Sequence, residues 1–447
     1  MYDSGRETVL NIAVVGSGIS GLSAAWLLSQ RHSVTLYEED ERIGGHSNSV
    51  SVPNCESSVD TGFIVYNELN YPNLTALFEH FNVQTQLAEM SLAISLRGGR
   101  LEYSGTNLRG LFAQPRNVVN PRFWSMLRDL RRFYRCAPLD LPDLERRSIT
   151  LSEYLDETQY GRAFRDDHLL PMAGAIWSTS PDAILDYPAA SFIRFHENHG
   201  LLKLTGRPAW RSVTGGSGNY VAALTSSFRK RIQRGNGITA VKSAEQVVFV
   251  RDQNGRVEKF DHVVIATHAD RALAVIVDPS VEERGALGAF RYSRNRAVLH
   301  SDASLMPKRR RTWSSWNYIQ STDGSDEVPT ITYWMNRLQN LGTTRQLFLT
   351  LNPRVAPRDI LYETDYEHPL FDSSAIAAQK RLWSLQGRRR VWFCGSYFGY
   401  GFHEDGLQAG LAVAEHIDPY CRRPWSVANE SGRISILGPT RPSEVAA

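Results

Sequence analysis

The feature that most constrains the fold is the opening segment, residues 11–40, with the sequence NIAVVGSGISGLSAAWLLSQRHSVTLYEED. Ile12–Val15 is a short apolar run, as expected of a parallel strand buried on both faces. Three glycines follow in the spacing G-x-G-x-x-G, and an apolar helical pattern continues over Leu22–Leu28. A second apolar run then ends at an acid. This order predicts a strand, a tight turn, a helix and a second strand, which begin a parallel α/β sheet.

Each position in this segment has a physical reason. Gly16 permits the tight turn, Gly18 lets the backbone approach a pyrophosphate, and Gly21 lets helix and strand pack closely. Glu38 is placed to accept hydrogen bonds from ribose hydroxyls and would repel a 2′-phosphate. The segment therefore predicts a dinucleotide site. We expect the loop and acid neighbours to contact the same ligand: Ser17, Ile19, Ser20 and Glu39.

Bulk composition excludes several classes of protein. A chain of 447 residues predicts two or three domain-sized units. A formal net charge of +3 gives no reason to expect a nucleic acid partner. Four scattered cysteines without C-x-x-C spacing argue against a disulfide framework or a metal site. No apolar run reaches the ~18 residues of a spanning helix, and no secretory signal is visible, so we expect a cytoplasmic protein.

A second glycine-rich segment, EEDERIGGHSNSV, supplies Arg42, Gly44, Gly45 and His46 just after the acid. It resembles the R-x-G-G segment of the flavin-containing amine oxidase superfamily, which includes protoporphyrinogen oxidases and phytoene desaturases. VDTGFIVYN, with Gly62 and Phe63, resembles the superfamily's D-x-G element beside the flavin. The resemblance implies FAD as the cofactor. No cysteine aligns with the usual covalent attachment point, so we expect FAD to be noncovalent.

The resemblance recurs later in the chain, in PAWRSVTGGSGNYVAAL and in GFHEDGLQAGL. It implies an adenine contact through the backbone near Val241. A hairpin is predicted at Asn254-Gly255, and buried strands at Val263–Ala266 and Val391–Cys394. A terminal helix, predicted to open at Gly406 and run to about His416, is expected to point its N-terminus at the flavin. Further cofactor contacts are implied at Thr267, Gly395, Ser396 and Leu407.

The predicted fold is α/β, a Rossmann-like FAD-binding domain with a small antiparallel hairpin layer and an interleaved α+β substrate domain. The FAD-binding domain is predicted from residues 1–65, 205–275 and 385–420, and the substrate domain from 66–204 and 276–384. Residues 421–447 are expected to form a loosely ordered tail. Within the substrate domain, a hairpin is predicted at Gly98-Gly99 and a capping box at Thr150/Glu153.

The second insertion alternates four strand-like runs, RAVLHSD, TWSSWNYI, TITYWMN and QLFLTLN, which we interpret as an antiparallel floor over the flavin. Its aromatic residues are either core or candidate substrate lining: Trp313, Trp316, Tyr318, Tyr333 and Trp334. Together they favour a small apolar substrate. The basic clusters RDLRRFYR and KRRRT are either a solvated face or an anion-binding patch, and weak peripheral contact with an anionic membrane is compatible with them.

Candidate catalytic residues lie at the entrance of the terminal helix. The resemblance places His403 near the substrate cage of amine oxidases, where it would orient substrate or accept a proton, or else only bind the backbone. Tyr397 and Tyr400 either line the same pocket or simply pack. Glu404 and Asp405 are expected to stabilise the helix N-terminus.

Two departures from the amine-oxidase pattern bear on the reaction. The lysine that those enzymes often link to the flavin through water would align near Asn295 and Arg296, and none is present there. Ser396 replaces the acid that commonly follows the last cofactor strand. Both differences favour C–C dehydrogenation, and the resembled group of bacterial NAD/FAD-binding, amine oxidase-like proteins implies an acyl chain. Two alternatives stay open. One is amine oxidation in the strict sense, and the other is a non-redox isomerase or a redox-sensing scaffold. The electron acceptor is oxygen or another molecule.

Overall fold

The computed structural model describes residues 9–203, 205–321, 330–428 and 434. The strands are β1 Asn11–Val15, β2 Ser33–Tyr37, β3 Ser49–Val50, β4 Val59–Asp60, β5 Tyr66–Asn67, β6 Thr85–Ala88, β7 Leu92–Leu96, β8 Leu101–Ser104, β9 Trp210–Val213, β10 Ile232–Gln233, β11 Ile238–Ser243, β12 Val248–Asp252, β13 Val257–Phe260, β14 His262–Ile265, β15 Arg291–His300, β16 Trp316–Ile319, β17 Thr330–Trp334, β18 Phe348–Leu351, β19 Ile360–Leu370 and β20 Val391–Phe393. The α-helices are α1 Ile19–Ser29, α2 Pro72–His80, α3 Leu108–Leu111, α4 Pro121–Arg147, α5 Leu151–Glu157, α6 Arg162–Phe164, α7 Leu170–Trp177, α8 Pro181–Leu185, α9 Ala189–Asn198, α10 Gly218–Thr225, α11 Ala269–Val275, α12 Val281–Leu287, α13 Met335–Leu338, α14 Ser373–Leu382 and α15 His403–Ile417.

A five-stranded parallel sheet forms the centre of the fold, in the order β10-β2-β1-β14-β20. Val14 pairs with Leu36 on one side and with Val264 on the other, and all three side chains are fully buried. Helix α1 follows β1 directly, as the glycine spacing predicts. A three-stranded antiparallel layer, β11-β12-β13, connects β10 to β14 and turns at residues 253–256, around the predicted Asn254-Gly255 position. The α/β fold class predicted from the sequence is confirmed.

All three segments predicted for the FAD-binding domain contribute strands to this sheet, with β1 and β2 from the first, β10 and β14 from the second, and β20 from the third. The division into two domains stays a prediction. Two helices predicted for the substrate domain, α12 and α14, bury side chains in the same hydrophobic core as the parallel sheet. The boundary at residue 66 also falls inside a three-stranded sheet, β5-β9-β6.

A seven-stranded sheet, β19-β15-β18-β17-β16-β7-β8, builds the second part of the molecule. The expectation of a purely antiparallel floor needs two corrections. β16 and β7 pair in parallel, because the hairpin β7–β8 of the first insertion adds to the sheet of the second. β19 was not predicted, although Tyr362, Thr364, Tyr366 and His368 alternate with acids at a period of two. The predicted turn at Gly98-Gly99 and the Thr150/Glu153 capping box are both present.

The terminal helix α15 begins at His403, three residues before the predicted start at Gly406. It packs lengthwise on α1, and a Cβ at Gly406 would lie 2.9 Å from Ser20 Oγ, so glycine permits this close approach. Among the residues that the structure describes, no helix combines the length and the apolar character required to cross a membrane.

The segment predicted as a loosely ordered tail differs from expectation where it is described. In residues 421–428 the Trp425 indole stacks on Trp26 with ring centroids 5.7 Å apart. Arg423 forms a buried ion pair with Glu415 at 2.8 Å. This stretch is therefore packed against the body of the protein without helix or strand. Residues 429–433 and 435–447 lie outside the described residues.

Candidate functional site

A large cavity of about 2010 Å³ opens at the carboxyl ends of β1, β2, β14 and β20. In open parallel sheets this edge is where ligands bind. The volume is twice the upper end, about 1,000 Å³, of ordinary small-molecule sites. The cavity therefore has room for an elongated ligand together with a second small molecule.

Most of the residues predicted to bind the cofactor line this cavity. From the first segment they are Gly16, Ser17, Gly18, Ile19, Ser20, Glu38, Glu39, Arg42, Gly45, His46, Gly62 and Phe63. From the two later segments they are Thr267, Gly395 and Ser396. The candidate catalytic residues His403, Tyr397 and Tyr400 line it as well. Segments far apart in the sequence thus contribute to one continuous wall.

Four predicted positions lie behind the wall rather than in it. A Cβ at Gly21 would overlap the Gly16 carbonyl oxygen, so Gly21 allows helix α1 to approach β1, as its spacing suggested. Gly44 has a φ of +113° and donates its N–H to the Ser17 carbonyl at 3.1 Å. Gly406 and Leu407 lie in the buried face of α15. These four residues shape the site without lining it.

The adenine contact predicted at Val241 is not supported by the structure. Val241 is 1% exposed, its carbonyl accepts the N–H of Val277 at 2.9 Å, and it does not line the cavity. Gly237 and Ile238, at the start of β11, line the cavity instead. The part of this strand that lines the cavity thus lies three residues before Val241, and the adenine contact itself stays a prediction.

The glycine loop after β1 has the geometry that a dinucleotide requires. Gly16 has a φ of +101°, and its N–H donates to the Tyr37 carbonyl at 2.8 Å. No protein atom lies within 4 Å of the position that a Cβ on Gly18 would occupy, so this backbone faces open space. Glu38 accepts hydrogen bonds from the Ser17 N–H at 2.8 Å and from its hydroxyl at 2.5 Å, which fixes the acid at the end of β2.

The second glycine segment is held in place by the side chain of Arg42. Its guanidinium donates to the carbonyl of Gly45 at 2.8 Å and to that of Ser47 at 3.2 Å. The carbonyl of His46 accepts the Phe63 N–H at 2.7 Å. Burial and the neighbouring histidines hold the pKa of His46 well below its usual range, so its imidazole is neutral. Arg42 therefore holds this loop in one conformation, and the imidazole that the loop contributes to the cavity is uncharged.

His403 lies in a polar cluster at the start of α15. Its Nε2 is 2.8 Å from the Tyr220 hydroxyl and 3.0 Å from the Ser47 hydroxyl, and its ring stacks on Phe63 with centroids 3.8 Å apart. Burial lowers the pKa of His403 to about 3. Accepting a proton at neutral pH would therefore be unfavourable, and the geometry favours the positioning role. Its catalytic role stays a prediction.

The two tyrosines of this segment differ in their surroundings. Tyr397 is 2% exposed, and its hydroxyl has no hydrogen-bond partner among the described residues. Tyr400 is half-buried, 6.1 Å from the ring of Phe195. Of the five aromatic residues suggested by the second insertion, Trp316 and Tyr333 line the cavity, and the other three do not: Trp313, Tyr318 and Trp334. Those three pack within the sheet region.

The two acids at the start of α15 have separate roles. Asp405 caps its own helix, since its Oδ2 accepts the Phe402 N–H at 2.9 Å. Glu404, fully buried, caps a different helix. Its carboxylate accepts the N–H groups of Asn73 and Leu74 at 3.0 and 2.9 Å, at the start of α2. Both acids lie in the first turn of α15, as expected, but only Asp405 caps this helix, and the capping of α2 by Glu404 was not predicted.

We expect Glu404→Ala to lower the free energy of unfolding by about 3 kcal/mol, because it leaves buried N–H donors without an acceptor. Chemical denaturation with urea measures this loss. Glu79→Ala, an exposed position at the other end of α2, serves as the control and should change stability by less than about 0.5 kcal/mol. Equal effects of the two substitutions would contradict a capping role for Glu404.

A histidine that the sequence analysis missed is held in the cavity wall by a chain of hydrogen bonds. The Arg296 N–H donates to Asn352 Oδ1 at 3.0 Å, Asn352 Nδ2 donates to Asn295 Oδ1 at 2.8 Å, and Asn295 Nδ2 lies 3.0 Å from His368 Nδ1. Because a backbone N–H can only donate, it fixes both amide orientations and makes His368 Nδ1 an acceptor. Burial lowers the pKa of His368 to about 4, so the neutral ring carries its proton on Nε2.

Comparison with known proteins agrees with this site. The sequence profile of the flavin-containing amine oxidoreductase family matches residues 19–350, about three quarters of the chain. The chain belongs to this family. The match confirms the predicted family, the cofactor FAD and the general class, an FAD-dependent oxidoreductase. The glycine loop, the acid after β2 and the long cavity are all compatible with FAD.

One relative is (S)-6-hydroxynicotine oxidase of Paenarthrobacter nicotinovorans, 25% identical over 276 residues, 61% of this chain and 63% of that protein. The match thus spans less than two thirds of that relative. Among solved structures, cyclohexylamine oxidase from Brevibacterium oxydans has a TM-score of 0.66 at 16% identity, covering 92% of this chain and 100% of the other. A fatty acid isomerase from P. acnes has a TM-score of 0.65 at 14% identity, covering 93% and 100%. At these identities the structures show a shared fold alone.

Proposed function

We propose that this protein is an FAD-dependent oxidase or dehydrogenase that removes a hydride from an apolar organic substrate, such as a lipid acyl chain. FAD, when bound noncovalently, supplies the hydride acceptor. Oxygen or another acceptor takes the electrons in the second half of the cycle. The observation that carries the proposal is the apolar wall of the cavity beyond the cofactor-binding segments.

This wall comes from both insertions. Leu92 and Ile94 of β7, Leu127 and Leu130 of α4, and Leu349 of β18 line the cavity. Such a surface favours a substrate whose burial removes apolar area from water. Polar side chains line the cavity as well, but Tyr103 and Tyr134 already contact His168, at 3.0 and 3.5 Å.

The acids of the cavity wall outside the cofactor-binding segments already have partners. Glu89 pairs with Arg337, and Asp365 pairs with Arg294. Glu367 contacts His268 at 3.3 Å. Among the described lining acids outside the cofactor-binding segments, an alkylammonium substrate would therefore find only Glu367 without a charged partner, since burial lowers the pKa of His268 and leaves its ring neutral. This favours a hydrocarbon substrate over an amine substrate.

His368 lies beside the strand near which the lysine of amine oxidases would align. Its partner Asn295 is one of the two residues expected there, and Arg296 is the other. Its Nε2–H is left as a neutral donor on the cavity wall. We infer that His368 positions substrate or cofactor by donating this hydrogen bond, without carrying a charge at neutral pH.

Strict amine oxidation is the second candidate, favoured by the similarity to (S)-6-hydroxynicotine oxidase. Anaerobic mixing of the FAD-loaded protein with acyl lipids, aromatic amines and polyamines distinguishes the candidates. Loss of the flavin's visible absorbance with acyl lipids supports the proposal, and loss with amines alone contradicts it. A flavin that no substrate reduces, or that cycles without accumulating product, indicates the isomerase or redox-sensing scaffold instead.

A charge placed in the apolar wall sharpens this test. We expect Leu127→Glu to slow flavin reduction by an acyl lipid roughly tenfold or more, because a buried carboxylate disfavours apolar contact. The same substitution should raise the affinity for an ammonium substrate. Leu139→Glu, on the same helix but 76% exposed, is the matched control and should leave both rates unchanged. Unchanged reduction by the acyl lipid in Leu127→Glu would contradict the proposed apolar substrate.

A further inference from the structure

A strongly basic surface lies next to the cavity and has no role in the proposed reaction. Glu102 is the only acid in residues 97–128, which also contain six arginines. Glu102 is fully buried, where it accepts the backbone N–H groups of Lys308 and Arg309 at 2.8 and 3.1 Å. The exposed charges of this stretch are therefore all positive. The KRRRT segment is brought against them from the second insertion.

Three segments meet at this surface. The Gly99 carbonyl, at the tip of the β7–β8 hairpin, accepts hydrogen bonds from Gln114 Nε2 at 3.0 Å and from Arg309 Nη1 at 3.2 Å. A smaller cavity of about 480 Å³ lies between the segments. Its cationic lining residues are Arg100, Arg116, Lys308 and Arg309. The arrangement is large enough, and charged appropriately, for a phosphate group.

The cations of this surface are available for a partner. Six exposed side chains form the surface that we call the basic face: Arg100, Arg109, Arg116, Lys308, Arg310 and Arg311. None of the six forms an ion pair with an acid in the part of the chain that the structure describes. Elsewhere on the molecule exposed arginines are commonly paired, as in Arg147 with Glu157. The basic face is thus an uncompensated positive patch.

Exposed apolar side chains are interspersed with these cations. Leu108 is 73% exposed, Val118 51%, Val119 80% and Trp124 49%. The Trp124 indole N–H donates to the Val118 carbonyl at 2.7 Å, so Val118, Val119 and Trp124 form one ridge. Leu108, which directly precedes Arg109 of the basic face, lines the large cavity, so the cavity opens beside this face.

We propose that the basic face and this ridge dock the protein on an anionic lipid bilayer. Cations next to a membrane attract acidic headgroups, each contributing about 1 kcal/mol, and apolar side chains enter the interfacial region. A nucleic acid would use the cations but gain nothing from Val118 and Val119, so the combination favours a bilayer. The docking concerns this surface alone and does not depend on which substrate the cavity takes.

Flotation of the FAD-loaded protein with vesicles tests the proposal. We expect binding to phosphatidylcholine vesicles that contain phosphatidylglycerol and little binding to phosphatidylcholine alone. Combined Lys308→Gln, Arg310→Gln and Arg311→Gln should weaken binding roughly hundredfold. The matched control replaces three exposed cations away from this surface, Arg229→Gln, Lys230→Gln and Arg234→Gln, and should bind as the unaltered protein does.

The apolar ridge has its own variants. Val118→Ser with Val119→Ser should weaken vesicle binding roughly tenfold. The control is Val257→Ser with Val281→Ser, which are 52% and 81% exposed. Equal binding to both vesicle types, or equal weakening by a control set, would overturn the proposal. A protein that binds no vesicles but binds an oligonucleotide tightly, with the same affinity in the ridge variant, would have a nucleic acid partner. This result would also overturn the proposal.

Discussion

We expect Gly18→Val to abolish flavin binding while leaving the fold intact. The Cβ position on Gly18 has no protein atom within 4 Å, and its φ of −64° and ψ of 173° are open to any residue. A valine there would not strain the protein, but its side chain would occupy the space that the pyrophosphate of FAD needs. The flavin content of the purified protein should fall roughly tenfold or more, equivalent to at least about 1.4 kcal/mol of binding free energy.

Gly285→Val is the control, because outside its own helix the Cβ position of Gly285 meets only Arg381 Nη1, at 3.8 Å, and this exposed residue of α12 does not line the cavity. The absorbance ratio of flavin to protein measures cofactor content, and circular dichroism verifies the fold. If Gly18→Val retained its flavin, FAD would not pass over this loop and the assignment of the site would be wrong.

The second prediction with a large effect is that the folded protein loses stability in acid, because its buried histidines bind protons only when the chain unfolds. Burial lowers the pKa of His168 to about 3 and that of His196 and His300 to about 4. An unfolded histidine titrates near about 6.5. Because the folded pKa values are depressed, their contribution to stability is present above about pH 6.5 and is lost as pH falls toward 4. Asp60 acts in the opposite direction, since burial raises its pKa to about 6.

These three histidines less Asp60 account for two protons, and burial also lowers the pKa values of the cavity histidines His46, His368 and His403, which add to this number. Each proton costs about 1.4 kcal/mol per pH unit, so stability should fall by at least about 3 kcal/mol per pH unit between pH 6 and 4. That loss is large against a total stability of about 5–15 kcal/mol. At His196 the Nδ1 already contacts the Phe192 carbonyl at 2.8 Å, and Nε2 has no partner among the described residues, so an added proton would find no acceptor.

Urea denaturation at a series of pH values measures this slope. We expect His300→Gln to reduce it by about one proton, close to 1.4 kcal/mol per pH unit. His80→Gln, at an exposed position, should leave the slope unchanged. A slope that is the same in all three proteins would show that the buried histidines do not control acid stability.

The sequence specified most of the cofactor site because the requirements for that site are local. A tight turn, a close helix and an acid at the end of β2 depend on neighbours within about thirty residues, and Gly16, Gly18 and Glu38 occupy the expected places. The predicted strands around Val263 and Val391 were recognisable for the same reason. A strand buried on both faces must be apolar throughout.

The errors arose where a residue's role depends on a distant partner. Glu404 caps α2, more than 300 residues away in sequence, and no local pattern announces such a contact. Ile238 rather than Val241 lines the cavity, because the fold decides which part of β11 meets it. β19 carries alternating aromatic residues and acids, a period-two signal that could have revealed both the strand and His368.

What the sequence alone determined is the dinucleotide loop, the α/β class and the family resemblance, since these follow from short-range geometry and hydrophobic periodicity. Only the tertiary structure decided the apolar cavity wall, the chain from Asn352 through Asn295 to His368, and the meeting of two distant arginine-rich segments in one basic face. Those features join residues from different insertions. Their proximity depends on how the sheets pair and pack. The spacing of residues along the sequence does not specify this.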